Sequence, residues 1–186
     1  MADDPLSDRR RTHEEEYFRK RDRELVERLR QAAAADQARR DLGAKTGLTD
    51  PEMLAELQEL GFTPDTVALL PLMPILETAW AEGGVSPDER ALIVDVARSR
   101  GIAAGSPADQ QLTYWLDRQP SADVFARATR LIGAMLGSGA RADLSADELI
   151  KYCEDIAAAS GGLFGLGKVS SGEKATLKRI AGALKK

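Results

Sequence analysis

The stretch Gly83-Gly84-Val85-Ser86-Pro87-Asp88-Glu89-Arg90-Ala91 has a counterpart in Gly167-Lys168-Val169-Ser170-Ser171-Gly172-Glu173-Lys174-Ala175. Each sets a serine three residues ahead of a glutamate. The hydroxyl can accept from an unpaired backbone N–H of a helix's first turn while the carboxylate reaches back to the serine N–H, so capped helices are predicted to start at Ser86 and Ser170. The likeness continues downstream, where Ile93, Val96 and Ala97 align with Leu177, Ile180 and Ala181 at the spacing of one buried face. A repeated start followed by a repeated face predicts a duplicated helical unit.

Working outward, the same punctuation recurs. Thr49-Asp50-Pro51-Glu52 opens a short helix through Leu54, Leu57 and Leu60, closed by Gly61, and Thr63-Pro64 opens the next. Pro71 and Pro74 interrupt an apolar run, and because proline clashes with the preceding turn, Pro71 is expected to begin a new helix. Leu72 to Trp80 is apolar enough to be central. Gly101 ends the helix begun at Ser86, Ser106-Pro107 starts another carrying Leu112, Trp115 and Leu116, and Ser121 caps a longer one from Val124 to Leu136. Ser145-Ala146-Asp147-Glu148 repeats the capping box before Leu149, Tyr152, Cys153 and Ile156. Strand-like alternation is missing, so the fold class is all-α: a helical bundle of two related halves, residues 49–186, preceded by a protruding charged N-terminal helix and hinge, residues 1–48.

That N-terminal segment is a zwitterionic rod. Residues 1–50 hold twelve basic and twelve acidic side chains, and the remainder, with fourteen and eighteen, carries the whole formal charge of -4. Thr12 with Glu15 forms a capping box, and Glu15–Arg19, Glu16–Lys20 and Glu24–Arg28 are spaced for ion pairs along one helix, predicted from about Thr12 to Asp41. Gly43 to Thr49 reads as a hinge. Phe18, Leu25, Leu29 and Ala32 make a thin apolar stripe. Two readings follow: a solvated or self-packing helix, or a helix that lies in a partner's groove.

Composition narrows the class of function. The chain has 186 residues, 43% of them hydrophobic and 30% charged, which is one domain plus an appendage. There is no clustered basic face of the kind nucleic-acid binders carry. No apolar run approaches the ~20 residues of a spanning helix, and the polar start is unlike a secretory signal. With Cys153 as the only cysteine no intrachain disulfide forms, and its apolar neighbours predict a small buried hydrophobe; the expected location is the cytoplasm.

Ala79-Trp80-Ala81-Glu82-Gly83-Gly84-Val85-Ser86-Pro87-Asp88-Glu89-Arg90 resembles the signature of the TerB-like tellurite-resistance family, and Gly167-Lys168-Val169-Ser170 with Glu173 resembles that family's second copy. The resemblance spans about residues 63 to 184. It implies a helical bundle of two related halves that works by association in bacterial stress and tellurite-resistance systems. The function expected is therefore a non-enzymatic interaction or scaffold module with a protein partner. Candidate contact residues are Phe18, Leu25 and Leu29 on the rod, Trp80 beside the acidic turn, and Phe164 in the glycine-rich loop. Self-association through the N-terminal helix is a further expectation.

The family resemblance also implies a metal site on acidic residues. Glu82 and Asp88 match the acidic turn, with Glu77 upstream, and the alternative function is a divalent-metal sensor. Against it, Gly83-Gly84-Val85-Ser86-Pro87 lacks the alternating carboxylates of a calcium loop, and Asp88 and Glu89 suit a helix N-terminus with Glu82 solvated. No other cofactor is expected. Gly162-Leu163-Phe164-Gly165-Leu166-Gly167-Lys168 imitates a phosphate loop, but Val169 stands where a magnesium-binding hydroxyl is needed and no strand precedes it. Catalysis has little to build on: His13 is the only histidine and lies far from Cys153 in sequence, and the neighbouring carboxylates Asp88-Glu89, Asp147-Glu148 and Glu154-Asp155 read as solvated faces.

Overall fold

The computed structural model describes residues 5–139, 145–160 and 169–185. Among them the chain is all-α, without a strand: α1 (Pro5–Thr46), α2 (Pro51–Glu59), α3 (Met73–Ala79), α4 (Pro87–Ser99), α5 (Pro107–Asp117), α6 (Ala122–Ser138), α7 (Ala146–Ser160) and α8 (Ser171–Leu184), with 3₁₀ turns at Val67–Leu72 and Trp80–Glu82. None of these helices is long and apolar enough to cross a membrane. The chain divides into two compact units, Met1–Arg40 and Asp41–Lys186.

The first unit is a solvated, mostly polar helix from Pro5 onward. Every residue from Glu15 to Gln37 is exposed, and local pairs run along it, such as Arg19 with Glu15 at 3.5 Å and Gln31 Nε2 donating to Glu27 at 3.2 Å. The helix begins at Pro5, not at Thr12 as the capping box predicts. Proline suits a first helical position because its missing N–H would be unpaired there anyway, so the earlier start overrides the later signal.

The second unit begins inside the same helix. Leu42 is fully buried, Thr46 is buried with its hydroxyl donating to the Leu42 carbonyl at 2.7 Å, and Leu48 is buried beyond them. The predicted hinge at Gly43 to Thr49 is thus helical as far as Thr46: burial of Leu42 and Thr46 holds the last turn closed, and the chain leaves the helix at Gly47, in the left-handed region at φ 73°.

Five helices of the bundle start as the sequence demands. Asp50, Ser86, Ser106, Ser121 and Ser170 each accept a first-turn N–H through the side chain. The region after Thr63-Pro64 differs: it forms a turn and then the 3₁₀ segment containing Pro71, and the α-helix waits until Met73, with Pro74 in its first turn. Pro71 lacks the donor and the room that a continuing α-helix requires, whereas at Pro74 the absent N–H costs nothing.

Helix α3 is the hub. Met73, Pro74, Ile75, Leu76, Thr78 and Ala79 are all buried, and the helix packs against α4, α6, α7 and α8. Thr78 satisfies its hydroxyl on the Pro74 carbonyl at 3.0 Å. The α3–α4 and α7–α8 pairs interlock, with α4 against α7 and α8 against both α3 and α7. A second seam joins α6 to α8, close enough that the backbones nearly touch at Gly133. At the surface, Arg127 of α6 bonds to Glu56 and Glu59 of α2, each at 2.8 Å.

Candidate functional site

Three features single themselves out: the paired capping boxes, the turn that carries Trp80, and the apolar stripe of α1. The boxes are formed as predicted. Glu89 N–H donates to Ser86 Oγ at 3.3 Å while Ser86 N–H donates to Glu89 Oε2 at 2.7 Å; in the second copy the distances are 3.1 Å and 2.7 Å between Ser170 and Glu173. Both glutamates are buried, at 2% and 1% exposure. Glu89 is therefore not part of a solvated face: the bundle closes over it because its carboxylate is already engaged by its own helix start. Burial raises the Glu89 pKa in spite of the Ser86 hydrogen bonds, and the like charges of Glu173 and Glu82 push the same way. The two boxes thus lie within electrostatic reach of each other, and Gly172 brings α8 close to the Ala81 carbonyl of the neighbouring turn.

The expected metal residues are spread over separate environments. Glu77, half-buried on α3, pairs with Arg179 of α8, while Glu82 and Asp88 are exposed. Among the described residues no three histidine, cysteine, aspartate or glutamate side chains are grouped to hold a metal ion. The buried pair Glu89 and Glu173 is what sequence reading missed; the repeated capping box marked both residues but not their depth.

Trp80 is half-buried and committed to the fold. Its indole N–H donates to the Trp115 carbonyl at 2.9 Å, and the Trp115 ring meets Phe62 edge-on at 5.8 Å, so the tryptophan fastens the turn before α4 to the end of α5. Cys153 is fully buried, and burial pushes its thiol pKa up to about 12, which leaves it unreactive as a nucleophile. Phe164 and the loop that imitates a phosphate-binding motif lie outside the described residues.

The stripe on α1 is the remaining predicted contact. At ~100° per residue, Phe18, Leu25 and Leu29 fall within about 40° of arc on one face, along roughly 16 Å of helix. All three are more than half exposed, flanked by Tyr17 at 56% and Val26 at 45%. Tyr17 is edge-on to Phe18 at 6.0 Å, and Arg21 lies 5.7 Å over the tyrosine ring while donating to its hydroxyl at 3.3 Å. Asp22 falls on the same line between Phe18 and Leu25, and arginines border it. The result is a narrow apolar strip with one charge in it and cations along its edge.

The chain matches no family model, no curated protein and no solved structure.

Proposed function

We propose that the chain is a non-catalytic interaction module of the TerB-like kind, serving a bacterial stress response in the cytoplasm, with α1 as its docking element. One observation carries the reading. Of the seven large hydrophobic side chains exposed among the described residues, five, namely Tyr17, Phe18, Leu25, Val26 and Leu29, belong to thirteen consecutive residues of α1. Scattered exposed apolar residues need no explanation, but a cluster on one helix is the mark of a surface that another chain covers. A groove or a second amphipathic helix fits such a strip, the anchors recurring at near-heptad spacing.

The experiment is a full-length chain carrying Phe18→Ser, Leu25→Ser and Leu29→Ser together. Sedimentation over a concentration series, and co-purification from the source cells, are expected to show association by the unaltered chain that the triple variant loses at an unchanged melting temperature. Full retention of every association by the variant removes the docking role from α1.

A further inference from the structure

Within the second unit a pocket of about 590 Å³ opens between the last turn of α1, the 3₁₀ segment at Val67–Leu72, the end of α4 and the start of α7. That is the size of a small-metabolite site. Its lining includes Arg100, whose side chain is 15% exposed and whose guanidinium lies 5.6 Å over the Tyr152 ring. Among the described residues, the Nε–H of Arg100 is closed to solvent and has no hydrogen-bond acceptor, so a guest in the pocket has to meet the guanidinium from its Nη end. Its ion-pair partner Glu148 stands 3.8 Å from Nη2, too far for a hydrogen bond, and accepts from the Tyr152 hydroxyl at 3.2 Å. A guanidinium buried this deeply ordinarily has its donors matched by a planar oxyanion.

The walls say which oxyanion. Val67 and Pro71 give an apolar side to the pocket, while Lys45 and Asp65, the latter 72% exposed, stand with Glu148 nearer solvent. The four charged side chains cancel, and both acids oppose a multiply charged guest such as phosphate. We propose that this pocket binds a small monocarboxylate with an apolar body, the carboxylate received by Arg100 and the body lying along Val67 and Pro71. Glu148 is then a competitor for the same cation and sets a ceiling on affinity.

Isotope-edited NMR of the full chain tests this, with sodium hexanoate as the probe and sodium phosphate and sodium chloride at matched ionic strength. Hexanoate is expected to shift the Arg100 Nε–H and the amides around Val67 and Tyr152 saturably, with a Kd of about 1 mM or tighter. Arg100→Gln is expected to weaken it at least ~10-fold, and Glu148→Gln to tighten it about 3-fold or more by removing the competing charge. No saturable shift with hexanoate overturns the proposal, as does an equal response to phosphate or chloride, or retained affinity in a folded Arg100→Gln chain. If Arg100→Gln does not fold, Glu148→Gln decides: an unchanged or weaker affinity overturns it.

Discussion

Gly133 of α6 lies so close to Ala183 of α8 that a β-carbon built on the glycine would stand 2.4 Å from the alanine carbonyl oxygen. The obstacle is backbone, so no side-chain rotation relieves it, and two helices can cross there only because one has no side chain at the contact.

Gly133→Ala is therefore expected to lower stability by about 1–3 kcal/mol, through forced separation of α6 and α8. Gly137, four residues on in the same helix, has open space where its β-carbon would go. Gly137→Ala should instead stabilise by a few tenths to about 1 kcal/mol, because alanine loses less backbone freedom on folding. Urea denaturation of both variants checks the opposite signs; equal effects would mean that the α6–α8 approach is looser than described.

The second prediction concerns the buried capping box of α4. Burial raises the Glu89 pKa above its ordinary 4.5, with Glu173 and Glu82 adding to the effect. A carboxyl group that holds its proton more tightly when folded contributes stability that is complete below about 4.5 and is lost as pH rises through the folded value. Glu89→Gln keeps an oxygen for the Ser86 N–H and has no charge to bury. The difference in melting temperature, variant minus unaltered chain, should grow from pH 4 to neutral pH; a flat difference would show that Glu89 ionises inside the bundle without cost.

Glu56 runs in the opposite direction. Burial alone would raise its pKa, but hydrogen bonds from Arg127 and Arg130 outweigh that and lower it. Its contribution is present above the ordinary 4.5 and disappears as pH falls through the depressed folded value. Glu56→Gln should cost about 1–3 kcal/mol at neutral pH and converge with the unaltered chain in acid, as followed by chemical denaturation at a series of pH values. Arg127→Met should destabilise in the same direction, since it leaves Glu56 with Arg130 alone and takes from Glu59 its bond to α6.

Much of the fold is legible in the sequence because helix starts are local events. A serine or aspartate at the right offset from first-turn donors decides a boundary by itself, and Asp50, Ser86, Ser106, Ser121 and Ser170 all act that way. The central place of Met73 to Ala79 follows as directly from its unbroken apolar character. What fails is whatever depends on distant packing. Gly43 looks like a helix end, yet burial of Leu42 and Thr46 carries α1 past it; Pro71 looks like a helix start, yet the helix waits for Met73. Among the candidate contacts, the α1 strip is legible from spacing, because exposure on a polar helix needs no knowledge of the rest of the chain. Trp80 is not, since its carbonyl partner at Trp115 comes from another helix. Nor is the depth of Glu89 and Glu173, because glutamate in a first turn is ordinarily wet. Arg100 gives no signal at all: the pocket around it gathers four segments that only the tertiary fold brings together.

The lone sulfhydryl at Cys153 has a use that follows from its enclosure. A thiol shut inside the helical interior meets a water-borne reagent only when the helices part, so the pace at which the intact molecule consumes such a reagent counts its spontaneous openings. The protein carries its own stopwatch for breathing motions, with no probe to be grafted on.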